Sequence, residues 1–244
     1  MSDTHVRGRV RVEQGQKRVR AFVGGETVVD STAPLLVWES PHYPQYYLPR
    51  ADVVAALIPT ATVTHSPSRG DAIHFTVKAG DKELVDAAWQ YPDSPLEELR
   101  DHVRFDWAAM DAWFEEDEEV IVHPRSPYTR IDVLPSSRHV RVLIDGEVVA
   151  DTHRPWLLFE TGLPVRYYLP KVDVRMELFE PTETHTYCPY KGVASYWSAV
   201  IGGRRHDDVV WSYPYPLPES LRAAGLLSFY DTKATIEVDG VAVR

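Results

Sequence analysis

The stretch Tyr46-Tyr47-Leu48-Pro49-Arg50-Ala51-Asp52-Val53 returns as Tyr167-Tyr168-Leu169-Pro170-Lys171-Val172-Asp173-Val174, 121 residues further on. The same offset lays Val19-Arg20 over Val140-Arg141, Gly25-Glu26 over Gly146-Glu147, Asp30 over Asp151 and Glu39 over Glu160. After a one-residue slip the offset is 122, and Pro67 meets Pro189 and Gly70 meets Gly192. Asp86, Trp89, Tyr91 and Pro92 then meet Asp208, Trp211, Tyr213 and Pro214. So many matches at a nearly constant offset mean an internal duplication. The period is far longer than a solenoid unit, so each copy is a domain of ordinary size. The expected organisation is a flexible arm over residues 1–17 and a first β domain over 18–120. An ordered join over 121–138 and a second β domain over 139–244 complete it.

Within each copy the local signals are those of strands. Val140, Val142 and Ile144 alternate with Arg141 and Leu143 before Asp145-Gly146, and Asp-Gly between such runs is a strong hairpin signal. Gly24-Gly25 and Gly202-Gly203 predict further hairpins. Short strands are expected at Glu147–Asp151, Trp156–Glu160, Met176–Phe179, His185–Cys188, Ser195–Ile201 and Asp208–Tyr213. Helix is scarce. Ser94-Pro95-Leu96-Glu97 reads as a capping box opening a helix to Arg100, with Pro218–Arg222 as a shorter counterpart. The acidic run Glu115–Glu119 reads as a solvated turn or helix end. The fold class is therefore mostly β: two similar small β domains, each a sandwich or open barrel with short helices.

Composition bounds the function. The chain has 244 residues, 44% hydrophobic and 25% charged, as in ordinary globular proteins. No apolar run is long enough for a membrane span, and the N-terminus lacks the apolar core of a signal peptide. The only cysteine is Cys188, which excludes an internal disulfide framework. A net charge of -10 argues against general nucleic-acid binding. A cytoplasmic protein is expected, with no cofactor, no metal, no nucleic-acid partner and no membrane, its oligomeric state left open. The ten histidines contain no His-x-His or His-x-x-x-His pair. There is no phosphate loop, no dinucleotide fingerprint and no Gly-x-Ser-x-Gly elbow.

The most unusual stretch is Thr184-His185-Thr186-Tyr187-Cys188-Pro189-Tyr190-Lys191-Gly192-Val193-Ala194-Ser195-Tyr196-Trp197. Alternation sends His185 and Tyr187 to one face and Thr186 and Cys188 to the other. A lysine beside a glycine turn can hold an anion with its charge and exposed N–H groups. The structural alternative is a turn with a solvated Lys191, packed tyrosines and a thiol that serves as a small hydrophobe. The first copy has Thr64-His65-Ser66-Pro67-Ser68-Arg69-Gly70 in its place, so any site is intact only in the second.

Here the strings Tyr-Tyr-Leu-Pro-Lys-x-Asp-Val, Cys-Pro-Tyr-Lys-Gly-x-Ala-x-Tyr-Trp and Trp-Ser-Tyr-Pro resemble one family, the domain of unknown function numbered 427. The segment His123-Pro124-Arg125-Ser126-Pro127-Tyr128 is similar to the join of its tandem members. The resemblance spans nearly the whole chain. It implies a compact, mostly β domain similar to the β-tent or complex-β group, and no known reaction. A nucleotidyltransferase-like label goes with the family. That chemistry needs a Gly-Ser loop followed by Asp-x-Asp to hold metals, and no such pair follows a Gly-Ser here.

Two functional readings follow. In the first, Arg166, Tyr168, His185, Cys188, Tyr190, Lys191 and Tyr196 of the second domain bind a small anionic or nucleotide-like ligand at the Cys-Pro-Tyr-Lys-Gly turn. In the second, Cys188 is a nucleophile, or Lys191 an acid, base or phosphate clamp, of an enzyme. A structural or interaction module without a ligand is the third option.

Overall fold

Short alternating runs separated by tight turns set the course of this chain, and they set it twice. The computed structural model describes residues 10–243; residues 1–9 of the expected arm lie outside them. The chain divides into two compact units, residues 1–126 and 127–244. In the first, the strands are β1 (Arg11–Gln14), β2 (Val19–Val23), β3 (Glu26–Ser31), β4 (Leu35–Trp38), β5 (Gln45–Pro49), β6 (Ala56–Ser66), β7 (Gly70–Ala79), β8 (Lys82–Gln90), β9 (His102–Phe105), β10 (Ala112–Glu115) and β11 (Glu118–Glu119). In the second they are β12 (Ile131–Pro135), β13 (Val140–Ile144), β14 (Glu147–Thr152), β15 (Trp156–Glu160), β16 (Arg166–Leu169), β17 (Phe179–Cys188), β18 (Gly192–Ile201), β19 (Arg204–Ser212), β20 (Leu227–Phe229), β21 (Thr235–Val238) and β22 (Val241–Ala242).

The first unit forms a seven-stranded sheet, β1-β4-β5-β9-β8-β7-β6, and a four-stranded sheet, β11-β10-β2-β3. The second forms β12-β15-β16-β20-β19-β18-β17 and β14-β13-β21-β22. Taken in chain order within each unit, the two strand orders are identical. The duplication read from the sequence is thus a duplication of fold, and the class is mostly β. The ladders are antiparallel. Asp145 and Gly146 have φ of 49° and 85° between β13 and β14, the paired left-handed values that a two-residue hairpin requires.

Each unit buries one face of its large sheet under its small sheet. In the second unit Val140, Val142 and Ile144 of β13 meet Leu169, Phe179, Ile201, Val210 and Phe229 there. Alternation puts the intervening residues on the other face, where Tyr168, Ala194, Tyr196, Trp211 and Tyr213 form a second cluster. Burying each of the larger side chains contributes about 1.5–3 kcal/mol.

Three local expectations are corrected, and a fourth holds except at one residue. Residues 11–14 of the expected arm form a strand, because Val12 packs beside Leu35 and Val37 while β1 pairs with β4. The capping box at Ser94 opens no α-helix: Leu96 is extended and only Glu97–Leu99 make a 3₁₀ turn. Ser94 Oγ accepts instead from the Leu96 N–H at 3.1 Å, a local turn that competes with the helix. Met176–Leu178 is a 3₁₀ turn before β17 rather than part of a strand. The acidic run holds the expected solvated turn, at Glu116 with φ 52° between β10 and β11, with one departure. Its first member is buried, because Glu115 is 5% exposed and meets Tyr46 Oη at 2.6 Å, Lys17 Nζ at 2.7 Å and Arg125 Nη2 at 3.1 Å.

Candidate functional site

On β16 the strand period sends Arg166 and Tyr168 outward from the inter-sheet core and Tyr167 and Leu169 into it. Tyr168 is 1% exposed, and its hydroxyl accepts from Trp211 Nε1 at 3.2 Å. Burial pushes that hydroxyl far above the ordinary tyrosine range and outweighs the Trp211 hydrogen bond, which pulls it down. Tyr213 is raised likewise, first by burial and then by Tyr168 and Cys188. Tyr196 of β18 is buried, its hydroxyl 2.7 Å from Thr186 Oγ1 and 3.1 Å from the Tyr230 hydroxyl. The Tyr230 ring lies parallel to that of Tyr196 and 4.5 Å from that of Trp211. Arg166 sits over the Trp211 ring and donates from Nη1 to Asp231 at 3.0 Å.

The turn itself is built differently from an open anion cradle. The Lys191 ammonium, expected to be free, donates to the Glu160 carboxylate. The two side chains are 13% and 9% exposed. The Lys191 carbonyl accepts from the Leu217 N–H at 3.2 Å. Gly192 has φ +92°, and a Cβ there would meet the Tyr215 carbonyl oxygen at 3.3 Å. The segment 213–226 therefore covers the turn, which needs glycine both for its backbone angle and for this close approach. The first unit repeats the device: Arg69 stands 3.8 Å from Glu39, Arg104 Nε lies 3.0 Å from it, and Tyr47 Oη donates to it at 2.6 Å. The lysine-to-arginine difference keeps the ion pair.

Of the residues singled out from the sequence, Arg166, Tyr168, Cys188, Lys191 and Tyr196 share the outer face of the large sheet. His185 does not join them: it is exposed, and its Nδ1 lies 3.3 Å from the Ala194 carbonyl oxygen. Tyr190 is half-buried. Cys188 is a free, half-buried thiol. Its sulfur has no hydrogen bond to an imidazole or carboxylate among the described residues. Glu160, Tyr230 and Asp231 were not foreseen in the site. Glu160 carried a signal, since it matched Glu39 in the repeat, whereas Tyr230 and Asp231 carried none.

Beside Arg166 a pocket of about 310 Å³ opens at the edge of the inter-sheet core. Its walls are Pro164, Val165, Tyr167, Phe229, Ile236 and Val243, and Arg166 with Asp231 supplies its charged pair. The ladder register places Gln45 of the first unit at the Arg166 position and Trp113 at the Ile236 position; Trp107 follows the end of β9 by two residues, as Asp231 follows the end of β20. There the two tryptophans stack with centroids 4.8 Å apart and ring planes at 7°. The first unit thus puts an indole pair where the second has the charged residue and the aliphatic wall of its pocket.

The profile of the domain of unknown function DUF427 matches this chain twice, over residues 11–116 and 132–240. The chain belongs to the DUF427 family. It is a tandem member, and both matched segments coincide with the repeated sheet pair. Within this DUF427 tandem, the matched Glu39 and Glu160 are explained by the ion pair to the turn cation, and the matched Gly70 and Gly192 by their left-handed backbone. Arg166 and Ile236, which line the pocket, stand where the first copy has Gln45 and Trp113. No curated protein matches the chain. Among the described residues no helix is long and apolar enough to cross a membrane.

Proposed function

We propose that the second DUF427 domain binds a small anionic or nucleotide-like ligand in the pocket beside Arg166. No residue of the Cys-Pro-Tyr-Lys-Gly turn lines this pocket, and the turn is fastened instead by the Lys191–Glu160 pair. The observation that carries the reading is the difference between the copies at one register: stacked tryptophans in the first, a pocket with a guanidinium at its rim in the second. Asp231 takes Arg166 Nη1, and Nε and Nη2 have no protein acceptor among the described residues. A guanidinium with free donors beside apolar walls suits a ligand with a carboxylate or phosphate and an apolar body. The volume is at the small end of ligand pockets. Binding is favoured over thiol catalysis because Cys188 has no paired base among the described residues. The same reading takes the protein to be soluble and cytoplasmic, with no nucleic-acid partner, in line with its negative charge and single cysteine.

The test is a thermal-shift screen of small metabolites on the full chain, followed by R166Q, which installs the first copy's residue. A ligand that binds only the folded state raises the melting temperature by mass action. The expected result is a hit whose shift disappears in R166Q while the melting temperature without ligand stays nearly constant, because a partly exposed ion pair contributes little. A hit that shifts R166Q as much as the wild type would remove Arg166 from the site.

A further inference from the structure

The small sheet of the second domain carries a group that the linear spacing of its histidines hides. His139, just before β13, and His153, just after β14, are cross-strand neighbours at the end of a hairpin, since Val140 pairs with Thr152. Their rings are stacked, with centroids 4.0 Å apart. Asp151 lies diagonally across, its Oδ1 2.8 Å from His139 Nε2. One ligand atom from each of the three residues falls within 4.8 Å of the other two. The backbone of His139 is fixed from the other side: its N–H donates to Asp239 Oδ1 at 3.0 Å, and its carbonyl accepts from the Asp239 N–H at 2.8 Å.

The first domain shows what this position otherwise holds. The repeat offset places Arg18 at the His139 position, Asp30 at the Asp151 position and Thr32 at the His153 position. Arg18 grips Asp30 with Nε at 2.7 Å and with Nη2. The carboxylate is thus kept in both copies, and in the first a built-in cation balances it. In the second the arginine is replaced by an imidazole and a second imidazole is added beside it. Arg141 is the nearest other cation, and its Nε stays 3.6 Å from Asp151 while its Nη1 turns to Glu237.

We propose that His139, Asp151 and His153 bind one divalent transition-metal ion, which takes the place of the Arg18 guanidinium. Neutral imidazole is the commonest metal ligand, and two nitrogens with one carboxylate oxygen suit zinc, nickel or copper. Calcium and magnesium prefer oxygen donors throughout. Metal–ligand bonds near 2.0–2.2 Å require the three donor atoms to converge from their present separation. Asp151 and His153, the two exposed members, are the side chains that would move to meet His139. Asp151 and His153 are exposed, so the remaining coordination positions are open to water.

The experiment is calorimetric titration of the full chain with zinc alone at neutral pH, compared with H153A and D151N. His153 makes no hydrogen bond among the described residues, so H153A is expected to fold normally, which its melting temperature without metal checks. The expected result is one ion per chain, with affinity at least tenfold weaker in H153A and weaker in D151N. A second arm installs the pair in the first domain as R18H/T32H, which is expected to add a second ion. Zinc binding that is absent in the wild type, or equally tight in H153A, overturns the proposal.

Discussion

The Lys191 ammonium is seated against the Glu160 carboxylate, joining the β17–β18 turn to β15 across the outer face of the large sheet. Removing one partner of such a pair leaves the other charge without compensation. K191M keeps the aliphatic stem and is expected to destabilise the second domain by about 3 kcal/mol. E160M/K191M is expected to regain most of that loss. Denaturant unfolding of the three proteins measures it. A K191M curve that overlays the wild type would show that the pair is not structural.

Gly192 combines a left-handed backbone with a crowded Cβ position, whereas Gly203 at φ +81° has nothing within 4 Å of its Cβ. G203A therefore meets only the conformational cost of about 1–2 kcal/mol. G192A adds the clash with the Tyr215 carbonyl and is expected to lose more. Equal melting temperatures for the two variants would show that segment 213–226 moves aside freely.

Asp208 has φ +46°, and its carboxylate accepts from Thr182 Oγ1 at 2.7 Å and Thr184 Oγ1 at 2.8 Å. Asp86 repeats this with Thr60 and Thr62. Asparagine tolerates the left-handed region and keeps an acceptor, so D208N is expected to be mild. D208A loses both advantages and is expected to cost about 2 kcal/mol. Thermal unfolding ranks the two, and an equal effect of both would assign the residue no backbone role.

Burial pushes the Glu115 carboxyl up, but Lys17, Tyr46 and Arg125 together outweigh it and hold it below the ordinary glutamate value of 4.5. A carboxylate depressed in the folded state contributes stability that is present above its unfolded value and lost as pH falls through its folded value. The first domain is therefore expected to weaken as pH drops below about 4.5. E115Q is expected to be less stable at pH 7 and to show a shallower acid slope. Melting temperatures of both proteins over that range decide it, and parallel slopes would contradict the assignment.

Alternation, paired turn residues and a repeat of constant offset determined two antiparallel β domains of one topology, because these features act between neighbours in the chain. Asp145-Gly146 makes its hairpin whatever lies elsewhere. The turn at Lys191 was legible as a feature, since its glycine and cation recur in the first copy, but not in its role. Whether Lys191 faces an anion or Glu160 depends on a residue 31 positions away. The burial of Glu115 depends on Tyr46, 69 positions away. The pocket beside Arg166 depends on which residues β20 and β21 bring against β16, and His139 meets His153 only because β13 and β14 pair. Local spacing encodes strands and turns. Ion pairs, cavities and convergent ligands arise from cross-strand register and sheet packing, and the tertiary structure alone sets those.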